Sequence, residues 1–243
     1  MTLAEKLQTI AENEQKVFDA GCKSQYDEFW DNFQQNGARE DYYYVFSGYG
    51  WIPETFKPKY DIKGTRFQGT FMGSAYCVVG SFTERLKELN ITLDTSKATM
   101  VSSMFAYCSK VTELPTLDLS NATSNSGVFS GCVALRKVEK IIFGENNSKY
   151  NTFFENCNAL EEIEFAGVIS NIISLQWSTK LNHDSITSLI NCLSTTTNAL
   201  TVTLSATAVN NAFETSEGAA NGSNATEWLE LIATKPNWTI SLV

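Results

Sequence analysis

Nucleophilic catalysis needs a base beside the nucleophile, and the sequence holds a single imidazole for that work, His183, followed by Asp184. A Ser-His or Cys-His pair would have to be built on it. The stretch Asn182-His183-Asp184-Ser185 instead opens a helical pattern, in which a histidine and an early acid are ordinary first-turn residues. Glu161 and Glu162 would suit glycoside chemistry as a carboxylate pair, but neighbours on a strand point to opposite faces and do not flank one bond. Asp94 and Asp118 head two similar segments that bring calcium to mind. The residues that follow them are Leu, Thr, Ser and Lys, so turn capping by Asp, Ser and Asn side chains is the reading preferred. No Gly-x-Gly-x-x-Gly, phosphate loop or His-Glu-x-x-His motif occurs. The chain is read as non-enzymatic, with no catalytic residue, cofactor or metal site.

The six cysteines, Cys22, Cys77, Cys108, Cys132, Cys157 and Cys192, form no Cys-x-x-Cys pair. Three of them belong to a repeat. The frame Phe105, Cys108, Val111, Leu114, Leu117 returns as Phe129, Cys132, Leu135, Val138, Ile141 and again as Phe154, Cys157, Leu160, Ile163. The period is about 24 residues, within the range of leucine-rich repeats, where each turn adds one strand to a stacked parallel sheet. Leu93-Asp94-Thr95-Ser96-Lys97-Ala98-Thr99 recurs one period later as Leu117-Asp118-Leu119-Ser120-Asn121-Ala122-Thr123. A single turn has no closed core, so its apolar positions must stack on the same positions of its neighbours. Phe105, Phe129 and Phe154 would form one ladder and Cys108, Cys132 and Cys157 another, as small buried hydrophobes. Disulfides between adjacent turns stay open on distance alone, since neighbouring strands are about 4.8 Å apart.

The stretch DTSKATMVSSMFAYCSKVTELPTLDLSNATSNSGVFSGC resembles the BspA-like leucine-rich repeats of bacterial surface proteins, which alternate an Asp-x-Ser-Asn-x-Thr segment with Met-Phe-x-x-Cys-x-x-Leu. The resemblance covers residues 93–165 and is looser over 65–92. There Phe71-Met72 starts a motif that SFTERLKEL interrupts, a helix with Phe82, Leu86 and Leu89 on one face. The third repeat departs as well, because IIFGENNSKYNTFF replaces the Asp segment and is expected to bulge outward. The resemblance implies a non-enzymatic module that binds a protein or glycan at a bacterial cell surface, in adhesion to host matrix or to neighbouring cells.

The elements that would position such a module flank the repeat. Residues 3–35 carry apolar residues at helical spacing from Leu3 to Phe33, with a capping box at Thr2-Leu3-Ala4-Glu5 and Gly37 as a stop. They read either as a cap or as an oligomerisation arm. Acidic Glu5, Glu12 and Glu14 differ from the basic start of a signal peptide. A structural part of a phage tail or other appendage, assembled through this helix, is therefore the alternative function. Tyr42, Tyr43, Tyr44 and Tyr49 lie in an aromatic stretch that either buries the open end of the stack or presents rings to a partner. These four tyrosines are the candidate binding residues and are expected to be more exposed than Phe46 or Trp51. After the repeats, a helix from Asn182 to Leu193, a strand Leu200–Leu204, a flexible loop over 217–224, a helix Thr226–Thr234 and a strand Trp238–Val243 are expected.

Outward residues one turn apart pair by sign, Glu113 with Lys137, Lys137 with Glu162 and Arg136 with Glu161, which favours register more than recognition. With 18 Lys and Arg against 27 Asp and Glu, the net charge of −9 disfavours nucleic acid and anionic membrane alike. No run of apolar residues reaches the length of a membrane span. The fold class expected is α/β: a leucine-rich-repeat solenoid over 65–205, with a helical and aromatic cap over 1–64 and a mixed α/β cap over 206–243, all one structural unit.

Overall fold

Parallel pairing between segments one repeat apart carries the architecture. The computed structural model describes residues 41–42, 61–73, 82–145, 150, 152–195, 199–213 and 222–243. The chain is mixed α/β, with its strands parallel in small sheets, none of them closed. β1 (Ile62–Lys63) pairs with β2 (Leu93–Asp94). β3 (Glu113–Leu114) and β4 (Leu117–Leu119) lie along opposite ends of the longer β5 (Lys137–Phe143), which pairs on its other side with β6 (Glu162–Gly167). A third sheet holds β7 (Ile173–Leu175), β8 (Leu200–Leu204) and β9 (Trp238–Leu242) in that order.

The registers follow the sequence period. Glu113 pairs with Lys137 and Lys137 with Glu162, while Leu117 pairs with Ile141 and Ile141 with Phe165. Isolated parallel bridges extend the stack along a second edge, Arg66 to Met100 to Ser124. Val111, Leu135 and Leu160 are fully buried, as are Leu114 and Val138 with Ile163 beside them. The buried residues form one hydrophobic cluster, in which positions one repeat apart lie in register across the paired strands.

The Asp segments serve as turns. One carboxylate oxygen of Asp94 accepts from both the amide and the hydroxyl of Ser96, and Asp118 accepts from the Ser120 amide. These bonds to the ionised form hold the Asp94 carboxyl below its usual range. Thr99 and Thr123 repeat a second device: each donates its amide and its hydroxyl to the threonine carbonyl one turn earlier.

Helices enter where the repeat is interrupted. α1 (Phe82–Glu88) buries Phe82 and Leu86 and is closed by Asn90 in the left-handed region at φ 52°. α2 (His183–Cys192) starts on Asn182, whose side chain accepts from the Ser185 amide, and buries Ile186, Leu189 and Ile190. α4 (Thr226–Ala233) packs Trp228 inward ahead of β9. One helix was not expected, α3 (Ala206–Ala212), capped by Ser205 and burying Ala208 and Val209. The expected loop over 217–224 is corrected at its end, where Gly222–Asn224 form a 3-10 turn against α3. A Cβ on Gly222 would lie 2.4 Å from the Asn210 carbonyl oxygen, so this packing needs glycine. The proposed helix over 3–35 lies outside the described residues, as do 146–149 and 151 of the connection IIFGENNSKYNTFF that was expected to bulge outward.

Candidate functional site

The repeated Phe and Cys positions are structural columns. Phe71, Phe105, Phe129 and Phe154 stack in sequence with centroid separations of 5.0, 6.0 and 5.4 Å and nearly parallel planes. Each cysteine thiol donates to a phenylalanine carbonyl one turn earlier: Cys108 to Phe71 at 3.0 Å, Cys132 to Phe105 at 3.0 Å and Cys157 to Phe129 at 3.2 Å. All three are free and buried. Burial pushes the Cys132 thiol well up and the Cys157 thiol up to about 12, the opposite of what a nucleophile or a metal ligand needs.

The charged face is self-paired. Arg136 meets Glu161 at 3.6 Å, Lys137 meets Glu162 at 2.5 Å, and Lys140 adds a pair with Glu164 at 2.8 Å that the sequence reading did not include. A cleft of about 560 Å³ between β6 and α2 is lined by Glu139, Glu162, Glu164 and Asp184. Each of these carboxylates is engaged, Glu139 by the Thr116 amide and Asp184 by His183. A second cleft of about 590 Å³ holds Cys192 and Lys235. There the ammonium group caps α2 by donating to the Asn191 and Leu193 carbonyls, and burial raises the half-exposed thiol. No group of three or more His, Cys, Asp and Glu residues among the described residues is arranged to hold a metal ion.

His183 is a tie between helices. Its Nδ1 lies 3.2 Å from Asp184 and its Nε2 lies 2.8 Å from Glu227 of α4, while its ring packs on Phe213 with centroids 4.8 Å apart. Hydrogen bonding to Asp184 raises its pKa most, burial lowers it by less, and hydrogen bonding to Glu227 adds to the rise.

Of the four candidate tyrosines, Tyr42 is described. It is buried, stacked face to face on Phe67 at 5.3 Å, and its hydroxyl accepts from the Lys63 amide. Of the two readings of this stretch, Tyr42 fits burial, since its ring stacks on Phe67. Tyr43, Tyr44 and Tyr49 lie outside the described residues.

Among the described residues the exposed rings are Tyr107 and Trp177, which sequence reading missed. Leu175, Ser178 and Leu181 are buried at the spacing of Phe154, Cys157 and Leu160, so they continue the frame with leucine for phenylalanine and serine for cysteine. The Ser178 hydroxyl donates to the Cys157 carbonyl, and Asn182 donates to the Glu161 carbonyl as Glu161 does to that of Arg136. The residue before the cysteine position is then Gly73, Tyr107, Gly131, Asn156 and Trp177 in successive turns. The same tight turn follows it in three of these, where Ser109, Val133 and Thr179 donate to the carbonyls of Tyr107, Gly131 and Trp177. Tyr107 is 60% exposed, Val133 48% and Trp177 41%, which gathers three of the most exposed large hydrophobic side chains onto one turn edge. Chemically such an edge can stack rings on a ligand and bond it from Ser130, Asn156 and Asn158.

No family model matches the sequence, and no curated protein and no solved structure is significantly similar to it.

Proposed function

We propose that the chain is a non-enzymatic binding module of the bacterial surface, a BspA-like leucine-rich-repeat solenoid that presents its turn edge to a protein or glycan partner. The observation that carries this reading is the exposure of Tyr107 and Trp177, whose carbonyls accept the same turn bond, although the left-handed backbone is found at Tyr107 and not at Trp177. Inward positions are consumed by the Phe, Cys and aliphatic columns, and the charged face pairs with itself. Among the described residues, the turn edge is what is left to meet a partner. Saturable binding of the chain to immobilised host-matrix proteins or glycans, without turnover of either, is the expected result. Concentration-dependent growth into long particles with no such binding would replace this reading with a building block of an appendage.

A further inference from the structure

We propose that the turn edge carrying Tyr107, Asn156 and Trp177 is a binding site for a neutral oligosaccharide. The inference rests on the binding-module reading above and names the ligand class. Tyr107 holds a φ of 60°, a left-handed conformation that costs an L residue with a bulky side chain about 1–2 kcal/mol. Its equivalents in neighbouring turns, Gly73, Gly131 and Asn156, share the conformation but are of the types that adopt it readily. Packing repays little of this strain, because the side chain is 60% exposed and rests on the backbone of Gly131. Strain kept at an exposed position points to function.

The ring is also held in place. A Cβ at Gly131 would lie 2.7 Å from Tyr107 Cδ1 and 3.2 Å from Cε1, so the ring rests against the glycine backbone. An aromatic platform fixed before the ligand arrives loses little freedom on binding. Trp177 sits three turns away, about 14 Å at the usual strand spacing.

What lies between the rings selects the ligand. Sugars present apolar C–H faces ringed by hydroxyl groups; aromatic rings take the faces, and hydroxyls and carboxamides take the rim. Ser130, Asn156 and Asn158 supply those polar groups between Tyr107 and Trp177. The buried centre of a protein interface is more apolar than its rim, and among the described residues between the two rings Val133 is the one large aliphatic side chain that is well exposed. Glu155, bonded to the Ser130 hydroxyl at mid-edge, disfavours an acidic sugar or a nucleic acid.

The test titrates the full chain with cellohexaose, xylohexaose, mannohexaose, maltohexaose and chitohexaose, followed by calorimetry and tryptophan fluorescence. At least one should bind, and Tyr107→Asn and Trp177→Ala should each weaken it about three- to tenfold. Asparagine tolerates the left-handed backbone, as Asn156 does, so Tyr107→Asn should melt no lower than the parent. Leu229→Ala, an exposed position on α4, should leave the affinity unchanged. No binding of any of the five sugars to the parent chain, or equal affinity in both ring variants, overturns the proposal. Binding of a matrix protein that depends on the same two rings overturns the sugar and keeps the binding module. Binding of neither class removes both readings.

Discussion

A thiol is a weak donor, yet three of them make the same bond, each to the carbonyl of a phenylalanine one turn back. At Phe105 and Phe129 the thiol is a second donor to a carbonyl that already accepts the amide of Cys108 or Cys132, and burial keeps the Cys132 and Cys157 sulfurs protonated. Iodoacetamide at pH 8 should therefore leave Cys108, Cys132 and Cys157 unmodified in the native protein and modify all three after denaturation, as read by peptide mapping. Rapid native labelling of any of them would contradict the ladder. The glycine at 131 makes a second prediction. Its φ of 78° and the ring above it both oppose a side chain, so Gly131→Ala should destabilise by about 1–2 kcal/mol from the backbone alone. Part of any further loss should vanish in a Tyr107→Gly background, because removing the ring removes the clash, and a double-mutant cycle in urea measures that part. The Phe and Cys columns were legible in the sequence because side-chain type repeats there. The left-handed column was not, since Gly73, Tyr107, Gly131 and Asn156 share a backbone conformation and no side-chain chemistry.

The helices were read where apolar spacing and a cap coincide. α1, α2 and α4 fall within a residue or two of their expected spans, and Asn182 caps α2 through its side chain. α3 escaped because ATAVNNA carries one large apolar residue, Val209, and so has almost no hydrophobic period. The turn at Leu175 escaped for the converse reason: its frame survives in position but not in residue type. The aromatic stretch was read as either burial or presentation, and at Tyr42 burial holds: the ring is covered and its hydroxyl accepts from the Lys63 amide. Joining α2 to α4 is the work of His183 between Asp184 and Glu227. Its folded pKa is raised, so the tie adds stability that is fully present below the unfolded value of about 6.5 and is lost as pH rises through the folded value. His183→Gln should flatten the pH dependence of the melting temperature across that window. The effect is small because the imidazole is 38% exposed and solvent screens its partners. Unchanged pH dependence in the variant would remove the charged tie.

At the scale of the whole molecule, the parallel register between segments one repeat apart decides how a defect spreads. Each buried side chain is covered by equivalents above and below, so a void in a middle turn has two neighbours to disturb and no flexible surface into which it can relax. Leu135 sits in such a place, fully buried, with Val111 one turn before and Leu160 one turn after in the same column. Leu135→Ala should cost about 2–5 kcal/mol in urea unfolding. Two residues away, Val133 points out along the turn edge and is 48% exposed, so Val133→Ala should stay within about 0.5 kcal/mol of the parent. The pair tests the stacking frame more sharply than either substitution alone, because a shift of register by one residue would bring new side chains to the inside and reverse their order. A loss under about 1 kcal/mol for Leu135→Ala, or a larger loss for Val133→Ala, would mean that the inward and outward columns have been assigned the wrong way round. The turn edge proposed to meet the ligand would then be part of the core.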